Sequence, residues 1–69
     1  MHTHVGIRLK EERKKVGLTQ QQLADAAKID RNSQINYERG HRSPPAEYLQ
    51  RVEQLGLDAC YIVTGRRSR

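Results

Sequence analysis

The apolar residues of this chain come in short bursts at helical spacing, and each burst is closed by a turn residue. In "VGIRLKEERKKVG" (residues 5–17), Val5, Leu9 and Val16 recur so that they can share one inward stripe. Glu11 stands four residues before Lys15, a favourable pairing along a helix, and Gly17 is a natural stop. The next burst opens with "LTQQQL". Thr19 is placed to cap a helix, Gln22 sits three residues on as the other half of a capping box, and Leu18 and Leu23 occupy the two positions of a hydrophobic staple. The pattern predicts a second helix over 20–27 with Leu23, Ala24 and Ala27 facing inward, the two alanines allowing another helix to come close.

Residues 28–40, "KIDRNSQINYERG", are too polar for a core helix, yet they end in glycine as helices do. Asp30 is a good N-cap, and its charge suits a helix N-terminus. A short helix, a turn of three or four residues and a second short helix make a helix-turn-helix pattern. Ser43-Pro44 reads as the start of a fourth helix, serine as cap and proline in the first helical position, with Leu49, Val52 and Leu55 as its stripe and Gly56 as its stop. Asp58 caps a short fifth helix, with Leu57 and Ile62 as a staple and Gly65 as its end. The expectation is an all-α fold: a five-helix domain over residues 1–65, then a basic tail over 66–69.

Totals narrow the class. With 69 residues the chain is one small domain, and a domain of about 60 residues buries only about 60% of its unfolded surface, so a partner subunit is an expected source of extra stability. One cysteine makes no internal disulfide. No apolar run approaches the roughly 20 residues needed to cross a bilayer, and no signal peptide is visible. The default compartment is therefore a reducing cytoplasm, without membrane contact. Thirteen Lys and Arg against eight Asp and Glu give a net charge of +5, and the isoelectric point is near 9.9. That balance favours an anionic partner, nucleic acid first, over a merely solubilising surface.

Little else suggests chemistry. His2 and His4 lie at a chain end, and the three histidines and Cys60 lack the spacing of a zinc site, so no metal or cofactor is expected. Cys60 reads as a small buried hydrophobe or an interface residue. No histidine has a neighbour placed to orient it as a base, so nothing points to an enzyme.

The segment "LTQQQLADAAKIDRNSQINYERGHRSPP" resembles the helix-turn-helix of the phage-repressor family, the Cro and cI-like transcriptional regulators. The resemblance is carried by "GLTQ" at 17–20, "LA" at 23–24, Ile29 in the turn, "YERG" at 37–40 and Pro44, and it runs from about Val5 to Gly65. It implies a lambda-repressor-like DNA-binding domain with helices 2 and 3 as the helix-turn-helix, in a phage or prokaryotic regulator, most often a repressor binding duplex DNA as a homodimer. The N-terminal residues of a recognition helix meet base edges in the major groove, where Arg pairs with guanine and Asn with adenine. Arg31 and Asn32 are the leading candidates, with Ser33 and Asn36 close by. By resemblance, Gln20 bonds the DNA backbone and braces the recognition helix, and Arg42 touches phosphate, with Lys28 and His41 as helpers. Arg13 and Glu38 match a family ion pair that locks the first helix to the third. Leu57, Tyr61, Ile62 and Val63 are the expected dimer surface, against which stands a plain core role.

Two departures from the family stand out. A turn position usually held by glycine is Lys28, strained if its backbone is left-handed. The third helix carries Gln34 then Ile35 where relatives place an aliphatic residue and then a small polar one. Either Gln34 faces inward and Ile35 reaches the groove, or the helix is rotated and the roles exchange; burying Gln34 requires partners for its amide. Two further readings stay open: a complete small regulator or the head of a longer one, and, as the functional alternative, an antitoxin-like module using the same fold to cover a protein partner.

Overall fold

The computed structural model describes residues 3–67, and among them the chain forms five α-helices and no strand. They are α1 (Thr3–Lys15), α2 (Gln20–Ala26), α3 (Arg31–Arg39), α4 (Ala46–Gln54) and α5 (Ala59–Thr64). Three begin where their caps predict. Thr19 Oγ1 accepts from the Gln22 N–H while Gln22 Oε1 accepts from the Thr19 N–H, a complete capping box. Asp30 accepts from the Ser33 N–H and Asp58 from the Tyr61 N–H, each satisfying a donor the helix itself leaves free. Gly40 and Gly65 close α3 and α5 in the left-handed region.

The fourth helix starts later than Ser43-Pro44 suggests. Its cap is Pro45 and its first residue Ala46. A residue that precedes proline is pushed away from helical backbone angles, so Pro44, followed by Pro45, cannot open a helix.

α1 is the central element: it packs on α3 and α5, while α2 lies against α3 and α4 against α5. One core gathers Leu9, Leu23, Ala27, Tyr37, Tyr48, Val52, Leu57 and Ile62, with Val5, Leu18, Ile29 and Leu49 packed around it. The Tyr37 and Tyr48 rings meet at 5.0 Å between centroids, a tilted contact that joins α3 to α4. Two stripe assignments shift. Val16 and Leu55 are exposed, and Tyr48 takes the central place on α4. On α1 the inward face is completed by Gly6, Glu12 and Arg13, so two charged residues lie where a purely apolar pattern looks for a valine. Glu11 bonds the Tyr61 hydroxyl (2.6 Å) in place of the expected pairing with Lys15.

The start of the basic tail belongs to this packing. Arg67 Nη1 lies 2.7 Å from Glu12 Oε2, and its guanidinium stacks 3.8 Å from the centre of the Tyr61 ring. Glu12 also accepts from the Asp58 N–H, joining α1 to the cap of α5. Burial works to raise the Glu12 pKa, but the Asp58 N–H and the Arg67 guanidinium outweigh it and hold the carboxyl below its usual value. Ser68 and Arg69, the rest of that tail, lie outside the described residues. Cys60 is exposed on α5, which removes the buried-hydrophobe reading and leaves the interface one; Ile62 supplies the inward face of that helix.

Candidate nucleic-acid interface

The third helix is mostly polar, so its position depends on what lies beneath it. Glu38 is the hub. Its carboxylate accepts from Arg13 Nε (2.6 Å) and Nη2 (3.1 Å), from Gln34 Nε2 (2.8 Å) and from Gln20 Nε2 (3.2 Å). The two-pronged contact with Arg13 uses the planar fork that guanidinium offers a carboxylate, and Arg13 also donates to the carbonyl of Leu18, just before the α2 cap. Both members of the pair are nearly excluded from water. Arg13 and Glu38 thus form the ion pair expected from the sequence, and it ties α1, α2 and α3 together.

Gln34 resolves the first of the open choices. It is 0% exposed, and its amide is paired on both sides: nitrogen to Glu38, and oxygen to the Tyr48 hydroxyl at 2.6 Å. Burial pushes the Tyr48 phenol well above its ordinary pKa, so it stays a donor. Among the described residues no buried side-chain nitrogen or oxygen is left without a partner. Gln34 and Tyr48 were not among the predicted site residues. The available signal was a glutamine at a position facing the core, which demands a polar partner.

Above this base the helix presents its N-terminal turn. Arg31 and Asn32 are exposed, and Ser33 and Asn36 half-buried. Asp30, held below its usual pKa by interaction with the Ser33 side chain and backbone, fixes the turn. Gln20, first residue of α2, spends one amide hydrogen on Glu38. That leaves its second hydrogen and its oxygen for another partner. At the far end of α3 the Asn36 carbonyl accepts from the N–H groups of Gly40, His41 and Arg42. This folds the loop back, with the Arg42 guanidinium 5.8 Å from the Tyr37 ring centre. Arg31, Asn32 and the helix N-terminus offer donors suited to base edges and phosphate; Gln20 at the start of α2, Lys28 before α3, and His41 and Arg42 after it carry further polar or charged side chains.

Lys28 is the one non-glycine residue with positive φ among the described residues, at 62°. A left-handed residue with a Cβ costs roughly 1–2 kcal/mol, and glycine's greater freedom when unfolded offsets part of that. Lys28→Gly is therefore expected to raise stability by about 0.5–1 kcal/mol, seen as a higher urea midpoint at unchanged slope.

Of the four residues assigned to a dimer surface, Leu57 (1% exposed) and Ile62 (0%) are core residues of this chain, which leaves Val63 (48%) and part of Tyr61 at the surface. His4 is exposed and His2 lies outside the described residues. Among the described residues no three His, Cys, Asp or Glu side chains gather as a metal site, and no helix is long and apolar enough to cross a membrane.

Comparison with known proteins gives two matches. A family model described as "Helix-turn-helix" matches residues 9–55. The HTH-type transcriptional regulator ImmR of Bacillus subtilis (strain 168) is 41% identical over 51 residues, which cover 74% of this chain and 40% of that protein. The match thus spans about two-fifths of the length of this relative. No solved structure matches significantly.

Proposed function

Because this chain belongs to the Cro/cI-type helix-turn-helix family of transcriptional regulators, we propose that it binds duplex DNA by sequence, with α3 in the major groove. The observation that carries this reading is the contrast between the two faces of α3. Gln34, Tyr37 and Glu38 are fixed from below, while Arg31 and Asn32 stand free at the end that meets base edges. Arg31 reads guanine, Asn32 reads adenine, and Ser33 and Asn36 add base or sugar–phosphate contacts. Gln20 and Arg42 hold phosphates on either side. The net charge of +5 supplies the general attraction to the polyanion. Such proteins are not enzymes, and no step here requires a cofactor.

The finer reading is a repressor that works in the cytoplasm as a homodimer on a pseudo-palindromic operator. Its two copies of α3 would enter successive major grooves about 34–36 Å apart. Val63 and the exposed part of Tyr61 are the surface for the second copy.

The test is selection of duplexes from a random library near physiological salt, followed by sequencing. The expected outcome is a two-fold-symmetric motif with half-site centres about 10 bp apart. Arg31→Ala is expected to relax one position in each half-site, at a loss of about 1–3 kcal/mol in binding. Retention without a motif, fading steeply with salt, would reduce the function to phosphate binding. No retention would overturn the reading.

A further inference from the structure

Ile35 is out of place on the outer side of α3. The other residues of that helix outside its buried set, Arg31, Asn32, Ser33, Asn36 and Arg39, are polar. Ile35 is half-buried, yet it is not among the half-buried aliphatics Val5, Leu18, Ile29 and Leu49 that pack on the core. A β-branched residue is also a middling helix former, so local propensity does not account for it. Its place is set from the opposite side. Gln34, Tyr37 and Glu38 are all buried, and the Gln34 amide is bonded to both Tyr48 and Glu38. The helix therefore has no freedom to rotate Ile35 into the core. Residues three and four apart share a helix face, so Ile35 lies in a row between Arg31 and Arg39, beside Asn32.

In the major groove the one apolar feature of a base pair is the 5-methyl group of thymine. We infer that Ile35 is a specificity-determining residue that recognises thymine by contact with that methyl group, one helical turn along α3 from the base read by Arg31. The inference rests on the proposed docking of α3 in the major groove and adds to it a base class and a reader that carries no hydrogen-bonding group.

The experiment uses the full chain and the duplex it selects from a random library. Each thymine of the selected site is replaced singly by deoxyuridine, which lacks only the 5-methyl group, and binding is measured for the wild type and for Ile35→Ala. The wild type is expected to lose about four-fold at one thymine in each half-site, the order that one methyl group contributes to an apolar contact. Ile35→Ala is expected to bind the thymine and deoxyuridine duplexes alike at that position. Ile35 is not a core residue, so this variant folds, and the change in the DNA probes the contact in the unaltered protein as well. A selected motif in which no thymine responds to the replacement, or in which both proteins respond equally, overturns the role of Ile35 and leaves DNA reading by α3 intact. Failure of the wild type to select any motif overturns both.

Discussion

Glu38→Ala is expected to lower the melting temperature by more than about 10 °C. The substitution removes the acceptor of four hydrogen bonds and leaves the Arg13 guanidinium almost fully buried with no counter-charge. Breaking a buried pair in this way costs about 3–5 kcal/mol, and for a domain of this size each kcal/mol moves the midpoint by about 4–8 °C. Two more donors, on Gln20 and Gln34, lose their acceptor in the same step. Glu38→Gln keeps the shape but not the charge and is expected to fall between alanine and the wild type. Thermal unfolding followed by circular dichroism reads all three. An unchanged midpoint in Glu38→Ala would mean that the ion pair does not hold α1, α2 and α3 together.

The second large effect is expected at a residue that carries no side chain at all. A Cβ added at Gly6 would lie 2.4 Å from the Glu38 carbonyl oxygen and 2.6 Å from that of Tyr37. Both are backbone atoms of α3, so no rotamer change relieves the clash, and α1 must move away from α3. Alanine is the better helix former by about 1 kcal/mol, and that gain opposes the clash. Overpacking against atoms that cannot turn aside costs about 1–3 kcal/mol or more. The clash is expected to win: Gly6→Ala loses about 1–2 kcal/mol net, and Gly6→Val, which is bulkier and a poorer helix former, loses more. Urea unfolding measures both. A stabilised Gly6→Ala would show that α1 and α3 can separate without loss, contrary to the close packing at Gly6.

These two sites mark where the sequence was readable and where it was not. Thr19, Gln22, Asp30, Asp58, Gly40 and Gly65 act on backbone groups a few residues away, so their roles follow from local spacing and reappear in the structure. The face each helix turns inward is a tertiary property, and there the apolar pattern misled. Val5, Leu9 and Val16 looked like one stripe; Leu9 and Val5 do join the core, but Val16 is exposed, and the inward face of α1 is completed by Gly6 and by two charged residues, Arg13 bonded to Glu38 on α3 and Glu12 to the Asp58 N–H and Arg67. On α4 the spacing of apolar residues points to Leu55, whereas Tyr48 takes the buried place, its hydroxyl satisfied by a Gln34 that faces inward. Gly6 did leave a signal: a glycine inside a helical pattern weakens it and usually has a packing reason. Arg67 left none, since its stacking on Tyr61 and its bond to Glu12 join residues far apart in the chain. As for the candidate interface, the sequence named its exposed residues through family resemblance. It left undecided which of Gln34 and Ile35 lies beneath.

The bond between Gln34 and Tyr48 also constrains ancestry. By resemblance, relatives carry an aliphatic residue where this chain has Gln34. A lineage stepping from glutamine to leucine there would strand the buried Tyr48 hydroxyl, and one stepping first from Tyr48 to phenylalanine would strand the Gln34 oxygen. Either order passes through an intermediate weakened by about 1–3 kcal/mol, a large share of what so small a domain has to lose. The two positions are thus expected to change together, which the sequences of close relatives will check. On that expectation, a glutamine followed fourteen residues later by tyrosine would mark the helix-turn-helix proteins that share this buried bond before any of their structures is known.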